Sequence, residues 1–262
     1  MPQALTRRRL LTAASGILLA SPSRAGAPPV VAAASDLRFA LPEIADRFVA
    51  GGGSPLRLVF GSSGNFYRQI LQGAPYALYL SADEDYVLRL AERGRTRDAG
   101  ALYAIGRLVL FAPTASPLEV DPALDGLERA LDEERITRFA IANPEHAPYG
   151  RRAQEALRRR GLWERLRPRL VLGESVAQAA QFAVSGSTQG GIFARALAEA
   201  PDIRGRGRSA PIPAEWHAPL RQRMVLLRPE DTVARDFFAF LRGPEAGAVL
   251  QRYGFELPGG SG

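Results

Sequence analysis

Apolar and polar positions follow two regular patterns along the chain. Short apolar runs, such as 30–34 and 56–60, are typical of buried strands. Between them, apolar residues recur at helical spacing, as in the segment from Leu37 to Phe48. Because strand-like and helix-like segments alternate, the pattern predicts an α/β fold with largely parallel strands.

The same patterns place the individual elements. Strands are predicted at 30–34, 56–60, 77–80, 107–111, 136–142, 170–172, 190–194 and 224–227. Helices are predicted at 37–48, 65–72, 87–91, 124–132 and 151–160, from 176 onward, and at 233–241 and 246–253. Pro42 interrupts the first helix, because its ring clashes with the carbonyl of Arg38, so we expect a kink or a restart there. The loop 113–117 is predicted to carry the chain from one lobe to another.

The first 27 residues have the pattern of an export signal. Arg7, Arg8 and Arg9 precede an apolar stretch that reaches Ala20, and 25–27 offers a cleavage site of small residues. The adjacent arginines followed by two leucines look like a twin-arginine signal. The apolar run of ~11 residues is shorter than the ~20 that a membrane span needs. We therefore expect an exported, periplasmic protein whose fold excludes this segment.

Composition and charge narrow the choice of function. The formal charge is +7, but four arginines lie in the first 27 residues, which leaves +3 for the rest. This weak charge argues against a nucleic-acid partner, and the arginine-rich stretches 158–169 and 204–208 are interpreted as solvated surface. There are no cysteines and two histidines, so no zinc or copper site and no cofactor is expected.

Two serines stand where an apolar strand meets a helix start. Ser35 follows the first strand, and Ser63 lies in the Gly-Ser-Ser-Gly sequence 61–64 that follows the second. Helix N-termini present unpaired N–H groups and positive dipole ends, which together attract anions. The starts at Tyr149-Gly150 and Ser175-Val176 repeat this arrangement in the second half. Each serine alone could be an ordinary cap, but four such starts predict an anion site between two lobes.

A serine hydrolase is the alternative from a different class. Ser63 follows a strand and precedes a helix, as a nucleophile does, but 61–64 lacks the Gly-x-Ser-x-Gly spacing. His146 lies in a loop after Pro144 and Glu145 and is interpreted as a surface or capping residue. The sequence therefore favours a binding protein without enzymatic activity.

Several short motifs resemble the periplasmic molybdate-binding proteins of ABC importers. They occur in the family's order and span about residues 30 to 257. The motifs are 30–37 (VVAAASDL), 60–65 (FGSSGN), 73–75 (GAP), 80–83 (LSAD), 143–150 (NPEHAPYG) and 252–255 (RYGF). The resemblance implies a two-lobed type II periplasmic-binding-protein fold with mostly parallel sheets, helices around them and a ligand cleft between the lobes.

The resemblance also implies the domain organisation and the ligand donors. The expected segments are a signal peptide (1–27), lobe 1 (28–110), lobe 2 (111–223), a return to lobe 1 (224–258) and a flexible tail (259–262). Molybdate or tungstate would be held through its oxygens, with no direct ligand to the metal. Ser35 and Ser63 would donate through hydroxyl and backbone, and Tyr149 and Val176 through backbone N–H. A membrane ABC permease is the implied partner, and a monomer is expected.

The chain departs from the family pattern at two positions. Ala194 stands where family members often have a tyrosine donor, so that contact is missing. Ala77 stands where they usually have aspartate, which predicts altered local hydrogen bonding. A receptor of the same fold for sulfate or phosphate remains the alternative. Neutral donors disfavour singly protonated phosphate unless a carboxylate accepts its proton, and the sequence places none clearly at the site.

Overall fold

The computed structural model describes residues 27–259, which form two lobes built on one five-stranded sheet each. The predicted signal peptide, apart from its last residue, and most of the predicted tail lie outside the described residues. None of the helices in the described range is both long and apolar enough to span a bilayer.

The bounds of the elements are as follows. The strands are β1 (Val30–Ala34), β2 (Arg57–Gly61), β3 (Leu78–Ser81), β4 (Ala101–Gly106), β5 (Leu108–Pro113), β6 (Phe139–Ala142), β7 (Leu170–Gly173), β8 (Gly190–Ala194), β9 (Gly207–Pro211) and β10 (Leu220–Leu226). The α-helices are α1 (Ala40–Ala50), α2 (Ser63–Leu71), α3 (Glu84–Glu92), α4 (Asp125–Asp132), α5 (Pro148–Arg159), α6 (Trp163–Leu166), α7 (Val176–Val184), α8 (Arg195–Ala198), α9 (Thr232–Leu241) and α10 (Pro244–Arg252). Short 3₁₀ turns occupy Ser35–Leu37, Arg167–Arg169 and Ala214–Trp216.

The two sheets share one design. The first has the strand order β2-β1-β3-β10-β4, and the second has β7-β6-β8-β5-β9. In the first, β1 is parallel to β2 and β3, while β10 is antiparallel to β3 and β4. In the second, β6 is parallel to β7 and β8, while β5 is antiparallel to β8 and β9. The two-lobed α/β fold is confirmed, with sheets that are mixed rather than mostly parallel.

The chain changes lobes earlier than the sequence pattern predicts. It leaves the first sheet with β4 and enters the second with β5, so the crossing is at Arg107 and not in the loop 113–117. It returns with β10, which begins at Leu220, ahead of the predicted boundary at 224. Strands β4 and β5 are separated by one residue with no turn signal between them. The pattern therefore revealed only the second strand of the pair.

Other differences concern helix starts and short edge strands. The 3₁₀ turn at 35–37 precedes α1, which restarts at Ala40, so Pro42 lies in the first turn and its missing N–H leaves no gap. Helix α5 begins at Pro148, ahead of the predicted 151, because proline suits the first helical position. The pattern did not predict β9, whose arginine and serine side chains hide its strand character, or the short helix α6.

Alanine-rich β1 brings the helices of the first lobe close to its sheet. Ala32 and Ala33 are fully buried, as are Leu37, Leu41 and Ile44 of the adjoining turn and helix. This packing fixes the carboxyl end of β1, where Ser35 begins the 3₁₀ turn. In the second lobe, buried Val176, Ala179 and Ala180 fix α7 against its sheet in the same way.

Candidate functional site

One small cavity lies where the carboxyl ends of β1 and β2 meet the starts of α5 and α7. It has about 180 Å³ of empty volume, a figure that includes space open to solvent at its mouth. All four predicted donors, Ser35, Ser63, Tyr149 and Val176, line it, and each is at most 4% exposed. The structure thus brings together residues from both lobes around a space suited to a compact ligand.

The two serine hydroxyls in the cavity wall each accept a backbone N–H. Ser63 Oγ accepts the N–H of Ala82 at 3.0 Å. Ser35 Oγ accepts the N–H of Ala177, which belongs to the other lobe, at 3.2 Å. Because each oxygen already accepts a backbone N–H, its own hydrogen is free for a ligand acceptor.

Helices α2 and α7 have the same pattern of hydrogen bonds at their first three N–H groups. In α2, the cap Ser62 accepts the N–H of Asn65 at 3.3 Å, and the N–H of Gly64 crosses to His146 O at 2.9 Å. The N–H of Ser63, at the first helical position, has no intrahelical partner.

In α7, the cap Ser175 accepts the N–H of Gln178 at 3.4 Å, and the N–H of Ala177 crosses to Ser35. The N–H of Val176 again remains at the first position. In each helix the second and third N–H groups are used within the protein. The first is therefore left for a ligand in the cavity.

Helix α5 begins without a side-chain cap. Ala147 occupies the cap position, and Pro148 at the first position has no N–H. The N–H of Tyr149 is therefore the first in this helix, and its only intrahelical acceptor would lie before the helix begins. An oxyanion in the cavity would complete this helix start.

Asp36 is a buried carboxyl group in the cavity wall that the sequence did not identify. It is 1% exposed, and its Oδ2 accepts hydrogen bonds from Tyr149 OH at 2.9 Å and from Gln222 Nε2 at 2.5 Å. Tyr103 OH donates to Gln222 Oε1 at 2.6 Å. Burial raises the pKa of Asp36 to about 6, although the bonds from Gln222 and Tyr149 favour its charged form.

These contacts also define the role of the Tyr149 side chain. Its hydroxyl joins Asp36 and Gln222 from the other lobe, so only its backbone is directed to the ligand position. Burial, followed by the charge of Asp36, raises the pKa of Tyr149 well above its usual value. The phenol thus stays protonated and donates to the carboxylate.

His146 was predicted to be a surface or capping residue, and the surface placement is wrong. It is 6% exposed, and its Nδ1 shares a hydrogen bond of 2.9 Å with Ser62 Oγ across the cleft. Its carbonyl accepts the N–H of Gly64. The pair Ser62–His146 does not involve Ser63, so the contact joins the lobes instead of activating the predicted donor.

The glycines at 61 and 64 are required by close packing against other parts of the protein. A Cβ on Gly64 would lie 2.5 Å from His146 O, so this glycine permits close contact with the opposite lobe. A Cβ on Gly61 would lie 3.0 Å from the ring of Phe66. Gly61 lines the cavity, but the packing of Phe66 explains its small size.

Ala194 and Ala77, the two positions that depart from the family pattern, both lie outside the cavity. Ala194 is buried at the end of β8 and does not line the cavity. The backbone of Ala77 donates to Val30 O at 2.8 Å and accepts the N–H of Leu227 at 2.9 Å. Within residues 27–259, no group of three or more acidic or histidine side chains is placed to hold a metal ion.

Two sheets that close over a small polar cavity at helix N-termini define a solute-binding protein of the type II periplasmic class. The model of the bacterial extracellular solute-binding protein family matches residues 29–256, and the chain belongs to this family. The class is one of binding proteins and not of enzymes, in agreement with the sequence-based interpretation.

Molybdate-binding proteins are among the relatives most similar to the chain. The chain is 36% identical to the molybdate-binding protein ModA of Rhodobacter capsulatus over 242 residues, which are 90% of this chain and 91% of that protein. It is 30% identical to ModA of Escherichia coli over 229 residues, covering 87% and 88% of the two chains. The solved periplasmic molybdate-binding protein of Azotobacter vinelandii superposes with a TM-score of 0.79 at 31% identity, over 88% of this chain and 99% of that one. The predicted family resemblance is confirmed.

Proposed function

We propose that the protein is a periplasmic receptor that captures molybdate for an ABC importer. The observation that carries this proposal is the set of donors around one cavity. Ser35 and Ser63 come from one lobe and Tyr149 and Val176 from the other, and all four residues line the same cavity. The similarity to the molybdate-binding relatives extends over nearly the whole chain.

The chemistry of the donors fits a fully ionised tetrahedral oxyanion. Among the described residues that line the cavity there is no arginine or histidine, so the donors are neutral. Preorganised N–H and O–H dipoles replace the hydration shell of such an anion without a counter-charge. Binding would hold the lobes in the closed arrangement seen here, which the permease then recognises. The proposal includes no cofactor, no nucleic-acid partner and a monomeric receptor.

A thermal-shift screen of the purified protein tests the proposal. Molybdate and tungstate should raise the melting temperature, with the shift growing with concentration as binding to the folded state requires. Sulfate and phosphate serve as comparison anions of the same shape class. A larger shift with sulfate or phosphate would assign the receptor to that oxyanion. If none of the four anions shifts the melting temperature, the receptor proposal is contradicted.

A further inference from the structure

Within the described residues, one oxygen of the Asp36 carboxyl accepts hydrogen bonds and the other has no hydrogen-bond partner. Its Oδ2 accepts both side-chain donors, Tyr149 OH and Gln222 Nε2. Its Oδ1 is buried and has no hydrogen-bond partner in the described part of the chain, although the backbone N–H groups of Asp36 and Leu37 lie near enough to favour the charged form. An unpaired buried carboxylate oxygen is costly unless a ligand or a proton meets it.

Among residues 27–259, no cation lies close enough to offset this charge. The phenols of Tyr103 from β4 and Tyr149 from α5 face the carboxyl, and both are neutral. Helix α7, which packs on the same turn, carries no ionisable residue. Arg195 of α8 pairs with Glu199 at 3.5 Å, and Arg57 lies at the opposite end of β2 from the cavity. Arg38, two residues along the chain, is exposed, so within the described residues the carboxyl has only neutral groups around it.

A bound dianion and an ionised carboxylate in the same small cavity repel each other strongly. Two like charges that share a site in a medium of low polarity do not both persist, and one takes a proton. Oδ2 is already an acceptor for two donors, so the proton belongs on the Oδ1 side. There, a protonated carboxyl donates a hydrogen bond instead of repelling the anion.

We propose that Asp36 makes oxyanion capture proton-linked, with one proton held between its Oδ1 and the bound oxyanion. Asp36 is then a further binding residue, which acts as a fifth donor beside the four already described. The inference rests on the proposed function, because it needs an oxyanion in this cavity. It also changes the specificity expected from the sequence, because a carboxyl able to meet a protonated oxyanion is present after all.

Calorimetric titration with molybdate near pH 8, in two buffers of different ionisation enthalpy, measures the protons taken up on binding. At this pH free molybdate is a dianion and a carboxyl with the properties of Asp36 is ionised in the empty site, so the wild-type protein should take up about one proton per oxyanion. Asp36→Asn keeps an acceptor for Tyr149 and Gln222 and presents a permanent donor, so its uptake should be close to zero. Asp46→Asn, at an exposed position of α1, is the matched control and should keep the wild-type uptake.

The pH profile gives a second readout. Wild-type affinity should fall by up to about tenfold per pH unit above pH 6, while that of Asp36→Asn stays flat and exceeds it at alkaline pH. Molybdate binding without proton uptake in the wild type overturns this inference and leaves the proposed function standing. No molybdate binding at any pH overturns both. Proton uptake by the wild-type protein tests the role of Asp36 even if the variant fails to fold.

Discussion

At the scale of single residues, the site depends on oxygens that are already oriented before a ligand arrives. Ser63 Oγ accepts the N–H of Ala82, and Ser63 O accepts the hydroxyl of Tyr79 at 2.8 Å. Tyr79 is fully buried, so this support is rigid. The Oγ of Ser63 is therefore held in place in the cavity wall, which reduces the entropy lost on binding.

Replacing Ser63 with alanine should weaken molybdate binding by ~1–3 kcal/mol, because it removes one donor to a charged ligand. Isothermal titration of the variant measures this loss. Ser54→Ala, at an exposed position outside the cavity, serves as the control and should bind as the wild type does. An unchanged affinity in the Ser63 variant would remove this residue from the site.

The buried carboxyl also predicts how stability depends on pH. The pKa of Asp36 is raised from 3.8 to about 6 in the folded protein, so its folded state holds the proton more tightly than its unfolded state. This contribution is fully present below pH 3.8 and is lost as the pH rises through about 6. Without a ligand, Asp36→Asn should therefore be more stable than the wild type at pH 7.5, by up to ~3 kcal/mol, and equal to it near pH 3.5. Denaturant unfolding at both pH values checks this, and an equal difference at both would contradict it.

At the scale of elements, the ends of the strands were the feature most readily predicted from the sequence, whereas several helix starts differ by two or three residues. The apolar runs before Ser35 and before 61–64 gave the correct local structure because both signals lie within a few residues. The roles of Asp36 and His146 could not be predicted in this way. Their partners, Gln222 and Ser62, lie 186 and 84 residues away in the chain, and only the tertiary fold brings them together.

The contact between the start of α2 and the opposite lobe predicts the effect of a small change at Gly64. A Cβ there would lie 2.5 Å from the carbonyl oxygen of His146, which is backbone and cannot rotate away. Gly64→Ala should therefore hinder closure and raise the Kd for molybdate by about tenfold or more, while the protein still folds. Gly51→Ala is the control, because its Cβ meets only ordinary contacts of 3.4 Å or more. Equal affinity of the two variants would show that closure tolerates the extra atom.

At the scale of the whole molecule, charged pairs join the lobes at the rim of the cleft. Asp83 of the first lobe is 3.1 Å from Arg151 and 3.4 Å from Arg152 of the second. Its other oxygen caps α3 by accepting the N–H of Asp85 at 3.1 Å. When the lobes close, the partly buried ion pairs of Asp83 form together with the hydrogen bonds inside the cleft. When the lobes separate, both kinds of contact are lost.

Asp83→Asn should weaken molybdate binding several-fold, because it retains a capping oxygen for α3 but removes the charge that attracts the two arginines. The loss should shrink at high salt, where the wild-type ion pair is screened. Titrations in about 0.02 M and about 1 M sodium chloride compare the two proteins. Identical affinities at low salt would mean that the pair contributes nothing to the closed state.

The direct test of the central claim is anomalous diffraction at the molybdenum edge from crystals of the protein grown with molybdate. We predict one molybdenum peak per chain inside the cavity, with the oxygens of the ion within hydrogen-bond distance of Ser35, Ser63, Tyr149 and Val176. A peak at any other position, or a cavity occupied by water at saturating molybdate, would contradict the account.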